Sequence, residues 1–232
     1  MKQPIYRCHY RGQLLDTYDE TAFGEAVAQA EGHIKEMIQM NQVMTAALYQ
    51  YGSMLFFYYE AVEEERQPEE LAKTLTPFLK KWPGQTGDRN WAWMYHIYYH
   101  AVPQSVEDWK RPTLPQLRRG RIAFLKTEKL FDYVYHHIAI VKEGLLKGDK
   151  YQSIGIHENI LFSYFEEPRT NVNIRRDPNG VSREIDAWEA LDPKSHFIPG
   201  PEGTSFTFLP ALIAVGQEAA EEGTGTKYPA GQ

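Results

Sequence analysis

A tyrosine and a histidine four residues apart, Tyr133 and His137, form the pair in this sequence best suited to proton transfer. Positions i and i+4 of a helix share one face, and this face also carries Leu130, Ile140 and Val141. The pair is therefore expected to point toward a sheet. Histidine titrates near neutral pH and can accept or donate a proton, which suits it to acid/base catalysis. The alternative is a core histidine that a single hydrogen bond satisfies.

A second histidine, His33, precedes a related segment in the first half of the chain. The segment Leu55–Glu60 reads LFFYYE and Leu161–Glu166 reads LFSYFE, and each follows a histidine at a similar distance. His33 has Gln29, and not a tyrosine, four residues before it. A site around His33 would therefore differ in chemistry from a site around His137.

Several further side chains could bind a substrate near these histidines. Glu60 and Glu166 end the two matching strands and could act as carboxylate partners of the histidines. The alternative is a simply exposed strand-end glutamate, and this alternative is favoured for Glu166. Aromatic side chains could stack on a sugar ring or cover a pocket, although ordinary core packing also explains them. The candidate substrate-binding residues are Tyr58, Glu60, Trp82, Tyr164, Glu166 and Trp188.

Two more histidines, His96 and His100, have the four-residue spacing of a metal pair on a helix. Their segment is interpreted as a strand, on which the two side chains would share a face but lie farther apart. No third ligand is evident, so the sequence predicts no metal site. The roles of His96, His100 and His157 stay open.

The spacing of apolar residues predicts the elements that position these side chains. In the first half we expect strand 5–10, helix 22–40, strands 44–49 and 54–61, helix 69–81 and strand 91–101. In the second half we expect strand 120–126, helix 127–147, strands 150–156 and 160–166, helix 184–191 and strand 206–215. Each half then has the order β-α-β-β-α-β, which is the ferredoxin-like arrangement.

This order predicts an α+β protein of two tandem ferredoxin-like repeats, residues 1–102 and 119–216. Each predicted sheet carries helices on one face only, so the other face needs cover. The two repeats can bury these faces against each other and form an internal dimeric α+β barrel. Residues 103–118, with three prolines, are expected to be a linker, and the polar, glycine-rich residues 217–232 a disordered tail.

Composition argues against several classes of function. The formal charge of −6 and the isoelectric point near 5.8 argue against a nucleic-acid-binding protein, which would present a basic face. The single cysteine, Cys8, cannot form an internal disulfide or a cysteine-based metal cluster. The N-terminal residues lack the apolar core of a signal peptide, and no segment approaches the ~18 apolar residues of a membrane span. We therefore expect a cytoplasmic protein without nucleic-acid or membrane partners.

The second half of the sequence, residues 119–210, resembles an L-rhamnose mutarotase. The matching features are a first strand at Arg121–Leu125, the Tyr133/His137 pair, a strand at Tyr151–Ile154, the segment Leu161–Glu166, Trp188 and the terminal strand Phe206–Pro210. The first half shares the pattern more loosely, through His33, Leu55–Glu60 and Trp82. The chain departs from the family at His136, where the family has arginine, and in lacking its Trp-Pro-Glu after the histidine.

The resemblance implies an isomerase, namely a sugar mutarotase that interconverts the α and β anomers of an aldose. The aldose would be a pentose or a 6-deoxyhexose such as L-rhamnose or L-arabinose. His137 would be the principal acid/base, with Tyr133 orienting or donating, and His33 its counterpart in the first half. The family needs no cofactor. The expected partner is the small sugar substrate, and whether the fused chain pairs again into a homodimer stays open.

Two other interpretations of the same barrel also stay open. The architecture carries haem-binding and monooxygenase-like enzymes, and fold alone does not choose among them. A non-catalytic sugar-binding protein would keep the pocket and lose the chemistry. Gln29, which stands where the second half has Tyr133, favours that interpretation for the first half in particular.

Overall fold

The computed structural model describes residues 3–84, 87–145, 148–169, 181–200 and 203–217, and it shows an α+β fold with two antiparallel sheets. The strands are β1 (Ile5–Gln13), β2 (Val43–Tyr51), β3 (Met54–Val62), β4 (Trp91–Trp93), β5 (Tyr95–Tyr99), β6 (Leu117–Leu125), β7 (Ser153–His157), β8 (Ile160–Glu167), β9 (Phe197–Ile198), β10 (Thr207–Leu209) and β11 (Ala211–Gly216). The helices are α1 (Glu20–Gln39), α2 (Pro68–Ala72), α3 (Val106–Trp109), α4 (Leu130–Glu143) and α5 (Arg183–Glu189).

Each sheet takes one of its strands from the other half of the chain. The first sheet has the order β11-β2-β3-β1-β4, and the second has the order β10-β6-β8-β7-β5 with β9 also pairing with β6. Strand β5 follows directly after β4 along the chain but pairs with β7, and β11 follows β10 but pairs with β2. The two sheets are therefore joined at two crossings, each made by a continuous stretch of backbone.

The sequence predicted one strand at residues 91–101 and another at residues 206–215. Both predictions were wrong, because in each segment the chain passes from one sheet to the other. Met94 separates β4 from β5, and Pro210 separates β10 from β11. Proline has no backbone N–H and interrupts a ladder of hydrogen bonds. Met94 is fully buried, and its N–H donates to the carbonyl of His9 at 2.9 Å.

Apolar side chains form layers on both faces of each sheet. The layer between the two sheets includes Tyr49, Phe56, Tyr58, Phe162 and Tyr164. The outer face of the first sheet packs on α1 and α2 through residues such as Phe23, Ile34, Leu48, Phe57 and Leu71. The outer face of the second sheet packs on α4 and α5 through residues such as Ala123, Tyr133, Leu161, Ile185 and Trp188. Successive strand residues point to opposite faces, so each strand contributes to two layers.

Capping groups and prolines set the helix bounds. Asp19 caps α1 by accepting from the N–H groups of Thr21 and Ala22 at 2.8 and 3.0 Å. The helix expected at residues 69–81 is shorter, because α2 gives way to a 3-10 helix at Lys73–Phe78 that contains Pro77. Helix α4 ends before Gly144, whose positive φ of 72° glycine adopts without strain.

The segment predicted as a linker is partly ordered structure. Residues 103–118 contain α3 and the first two residues of β6. Val106 and Trp109 of α3 are buried together with Ile5 and Met44 of the first sheet. The predicted disordered tail lies outside the described residues except for Gln217, whose N–H donates to the carbonyl of Met44 at 2.8 Å. Among the helices that the structure describes, none is long and apolar enough to cross a membrane.

Candidate functional site

The structure places the predicted site residues in separate regions. His137, Tyr133 and Trp188 come together between the second sheet and helices α4 and α5. Tyr58, Glu60, Tyr164 and Glu166 come together between the two sheets, around an arginine that the sequence analysis did not select. His33 and Trp82 join neither group.

His33 lies on the solvent side of α1. Half of its side chain is exposed, at 50%, and its Nε2–H donates to the backbone carbonyl of Glu70 at 3.0 Å. Trp82 packs against the guanidinium of Arg11, 5.1 Å from the ring centroid, and against the ring of His157 at 5.2 Å. The structure therefore gives His33 and Trp82 different surroundings from those of His137.

A buried charge network occupies one end of the space between the sheets. Arg111, from the segment predicted as a linker, donates to Glu60 at 2.6 Å and to Glu166 at 2.8 Å. The hydroxyl groups of Tyr58 and Tyr164 donate to the same two carboxylates at 2.6 and 2.7 Å, and the tyrosine rings stack at 3.7 Å. These four candidate substrate-binding residues thus bind one another and Arg111.

Glu60 stays ionised within this network. Burial alone would raise the pKa of its carboxyl group, but the charge and hydrogen bonds of Arg111 and the bonds from Tyr58 and Trp109 outweigh burial and lower that pKa. All four carboxylate oxygens of Glu60 and Glu166 accept from protein donors. The network therefore joins the two sheets.

His137 has a defined tautomer in the second region. Its Nδ1 lies 2.8 Å from the backbone oxygen of Tyr133, and because a carbonyl can only accept, Nδ1 carries the proton. Burial lowers the pKa of the imidazole to about 4, so the ring is neutral at physiological pH. Its Nε2 therefore presents a lone pair, and among the described residues it has no hydrogen-bond partner.

Aromatic rings surround this imidazole on several sides. Tyr133 stacks on it at 3.8 Å, Trp188 meets it edge-on at 4.9 Å, and Tyr98 meets it edge-on at 5.4 Å. Tyr98 belongs to β5 and therefore comes from the first half of the chain. Phe197 meets the ring of Tyr133 edge-on at 5.6 Å. We call this group of residues, together with Arg121, Ser163 and His196 described next, the α4 site.

Three polar residues of the α4 site have buried atoms without a partner in the described structure: Nε of Arg121, Oγ of Ser163 and Nε2 of His196. Arg121 and Ser163 are cross-strand neighbours on β6 and β8, on the face that packs against α4 and α5 because the period of a strand is two. The ring of His196 lies 4.7 Å from that of Trp188. Buried polar groups without partners are uncommon and cost stability. Three such groups in one place therefore indicate that the α4 site is a candidate functional site.

The sequence did not indicate these three residues as site candidates. Arg121 belongs to the basic cluster Arg118–Arg121, whose spacing does not reveal which side chain turns inward. Burial, and next the neighbouring charge of Arg169, lowers the pKa of Arg121 to about 10, so the guanidinium stays positive at neutral pH. The alternation of apolar residues along β6 was the one signal that could have placed Arg121 beside Tyr133.

The α4 site combines a neutral base, His137, with a half-buried cation, Arg121. The lone pair on Nε2 of His137 can accept a proton from a bound hydroxyl group. The guanidinium of Arg121 would stabilise the anion that remains, since charges interact strongly in a buried site. Aromatic rings offer flat apolar contact area. The described residues contain no cluster of three or more metal-binding side chains.

Comparison with known proteins finds similarity of fold only. No protein-family model and no curated protein matches the chain. A "putative monooxygenase" from Fusobacterium nucleatum is 11% identical with a TM-score of 0.41, over 94% of this chain and 97% of that chain. A protein of the same description from Lactobacillus acidophilus is 8% identical with a TM-score of 0.43, over 95% and 99%. An anthrone oxidase-like protein is 9% identical with a TM-score of 0.35, over 91% and 94%.

The prediction of an isomerase of the L-rhamnose mutarotase type is wrong on these findings. The three matched structures carry monooxygenase or oxidase-like names, and none of them is named a mutarotase. The geometry removes two supports of that prediction as well, because His33 is far more exposed than His137 and the carboxylates of Glu60 and Glu166 are bound to Arg111. Similarity at this level transfers no activity or substrate to the present chain.

Proposed function

We propose that this protein is a monooxygenase-like enzyme that oxidises a small hydroxylated aromatic compound in the α4 site. The observation that carries the proposal is the unpartnered lone pair on Nε2 of His137, held by the bond from Nδ1 to the backbone of Tyr133. It is the kind of group that removes a proton from a phenol or an enol. The flat aromatic walls of the α4 site favour a ring-containing substrate.

Arg121 supplies the second requirement of such chemistry, which is a charge that stabilises the deprotonated substrate. Its guanidinium lies over the rings of Phe206 and Phe165, at 4.2 and 5.3 Å from their centroids. It lies on the face of the second sheet that packs against Tyr133. An aromatic anion is far richer in electrons than the neutral compound and reacts more readily with molecular oxygen. For a ring CH₂ that becomes a carbonyl, the substrate gives up four electrons, one oxygen atom enters the product and the other leaves as water.

The test is oxygen uptake with a panel of aromatic hydroxy compounds of increasing size, from hydroquinone to a naphthol and anthrone. Anthrone is useful because its enol tautomer has the acidic hydroxyl that His137 would deprotonate. We expect oxygen consumption with at least one member of the panel. Replacement His137→Asn keeps a donor near the position of Nδ1 but lacks the Nε2 lone pair, and should lower kcat/KM by ~10²–10⁴-fold.

The matched control is His33→Asn, because His33 is a half-exposed histidine on α1 outside the α4 site. It should leave kcat/KM unchanged. Oxygen uptake equal to that of buffer with every compound would overturn the proposed function. Uptake that His137→Asn does not diminish would overturn the assignment of the base.

We also propose that the two halves are tandem copies of one ferredoxin-like unit. The orders β4-β1-β3-β2 and β10-β6-β8-β7 support this, because they place the strands of each half in the same relative positions. The registers support it too, since Tyr58 and Tyr164 occupy corresponding places in β3 and β8. In an experimental structure, superposition of the two halves should bring Glu60 onto Glu166; a register offset between these residues would contradict the duplication.

A further inference from the structure

A cavity separate from the α4 site lies beside β1 and β5, near the crossing between the two sheets. Its volume is about 450 Å³, within the range of small-molecule sites. The lining residues that matter for its chemistry are Tyr6, Arg7, Trp93, Tyr95, His96 and Tyr99. We call it the β1–β5 cavity.

A chain of hydrogen bonds between neutral groups runs from His96, in the wall of this cavity, to His9 and Ser153. Nε2 of His96 lies 2.6 Å from Nδ1 of His9, and Nε2 of His9 lies 3.3 Å from Oγ of Ser153. His9 and Ser153 are fully buried between the sheets. Burial lowers the pKa of His96 to about 3 and holds that of His9 well below its ordinary value, so both rings are neutral at physiological pH.

This pair can present either a donor or an acceptor to a ligand. If His9 donates to His96, then His96 carries its proton on Nδ1 and offers an N–H to the cavity. If His96 donates to His9, then Nδ1 of His96 offers a lone pair, and His9 donates to Ser153. Both arrangements leave the two imidazole rings neutral, so His96 can match a hydroxyl group in either role.

The cavity also contains a fixed cation. Arg7 donates from Nη2 to the carbonyl of Ala101 at 2.8 Å, and its guanidinium lies over the rings of Tyr99 and Trp109 at 5.3 and 5.2 Å. No described carboxylate pairs with Arg7, and its Nη1 is buried without a partner. The exposed Glu65 is the acidic residue among those lining the cavity.

We propose that the β1–β5 cavity binds a small aromatic carboxylate that bears a ring hydroxyl group. The carboxylate would pair with Arg7, the hydroxyl group would bond to His96, and the ring would lie among Tyr6, Trp93 and Tyr95. The aromatic and cationic lining favours an aromatic anion over an aliphatic one. This inference does not depend on the proposed oxidation in the α4 site.

The probe is 4-hydroxybenzoate, titrated into the full chain in a calorimeter, with benzyl alcohol as the uncharged comparison. We expect saturable binding of one 4-hydroxybenzoate, and weaker binding of benzyl alcohol. Replacement Arg7→Met should weaken binding at least about tenfold, since it removes a charge-assisted contact. The matched control Arg119→Met removes a partly exposed arginine of β6 outside the cavity and should leave binding unchanged.

A second measurement does not require any variant to fold. Binding of 4-hydroxybenzoate to the unaltered chain should shift the ¹⁵N resonances of the His96 imidazole, because its Nδ1 gains a partner. Absence of saturable binding up to about 10 mM would overturn the proposal. The proposal would also be overturned if His137→Asn abolished binding while Arg7→Met left it intact. That result would place the ligand in the α4 site.

Discussion

The ionisation state of one buried carboxylate, Glu60, depends on the groups that donate hydrogen bonds to it. Glu60 is completely buried, and it stays ionised because Arg111, Tyr58 and Trp109 all donate to it. The sequence showed that Glu60 lies near the end of a strand. It did not show the partner of Glu60, because Arg111 lies 51 residues away in a segment that reads as a linker.

Replacement Glu60→Gln should destabilise the protein by about 3–5 kcal/mol, because it leaves Arg111 buried with half of its compensating charge removed. Urea unfolding measures this change in the free energy of unfolding. The control is Glu107→Gln, which disrupts an exposed ion pair with Lys110 and should cost less than about 1 kcal/mol. Equal effects of the two replacements would contradict the central role of the network.

The same variant should also change the response of the protein to acid. The folded-state pKa of Glu60 lies below its ordinary value of 4.5, so its ionised form stabilises the fold above pH ~4.5 and this contribution disappears as the pH falls through the lowered pKa. The free energy of unfolding of Glu60→Gln should therefore fall less steeply over that range. An unchanged slope would show that other groups govern acid unfolding.

At the scale of elements, local patterns predicted most helices and hairpins close to their observed bounds. The hairpin β2–β3 and the cap of α1 at Asp19 follow from apolar alternation and from a side chain that can accept backbone N–H groups. The breaks at Met94 and Pro210 were not predicted. A strand that continues in one sheet and a strand that crosses to another have the same local pattern, and only the position of the second sheet decides between them.

Helix α1 offers a prediction of its own at this scale. Gly24 is exposed in its interior, and a Cβ added there would meet nothing within 4 Å. Replacement Gly24→Ala should therefore stabilise the protein by about 0.5–1 kcal/mol, since alanine loses less backbone entropy in a helix. Thermal or urea unfolding measures the gain. The comparison is Gly144→Ala, where φ is 72° and alanine should destabilise; stabilisation at both positions would contradict the argument.

At the scale of the whole molecule, the two sheets fit together by pairing a large side chain with a glycine. A Cβ on Gly155 would lie 3.1 Å from the Cβ of His9, and a Cβ on Gly120 would lie 2.7 Å from the ring of Tyr49. His9 lies opposite Tyr58 in the first sheet and Gly120 lies opposite Tyr164 in the second. Strands β1 and β6 thus carry different residues at these places, and His9 on β1 bonds to His96.

Replacement Gly120→Ala should destabilise the protein by about 1–3 kcal/mol, because the added methyl group overlaps the ring of Tyr49 in a close-packed layer. Adding Tyr49→Leu should recover part of that loss, and the non-additivity measured in urea unfolding would report the contact directly. If the double variant is as unstable as the sum of the two single variants, the proposed contact between the sheets is contradicted.

Because β5 and β11 each pair with the sheet of the other half, two separate chains could assemble into this fold. Cutting the chain between Pro103 and Val106 would give two pieces. The first would contain β5 but lack β11, and the second would contain β11 but lack β5. Each piece would carry an uncovered strand edge, at β2 or β7, that only the other can complete. The second piece alone would also lack Tyr98, which belongs to the wall beside His137. Two genes, each encoding one piece, could therefore restore the protein when expressed together, whereas neither gene alone would encode an intact α4 site.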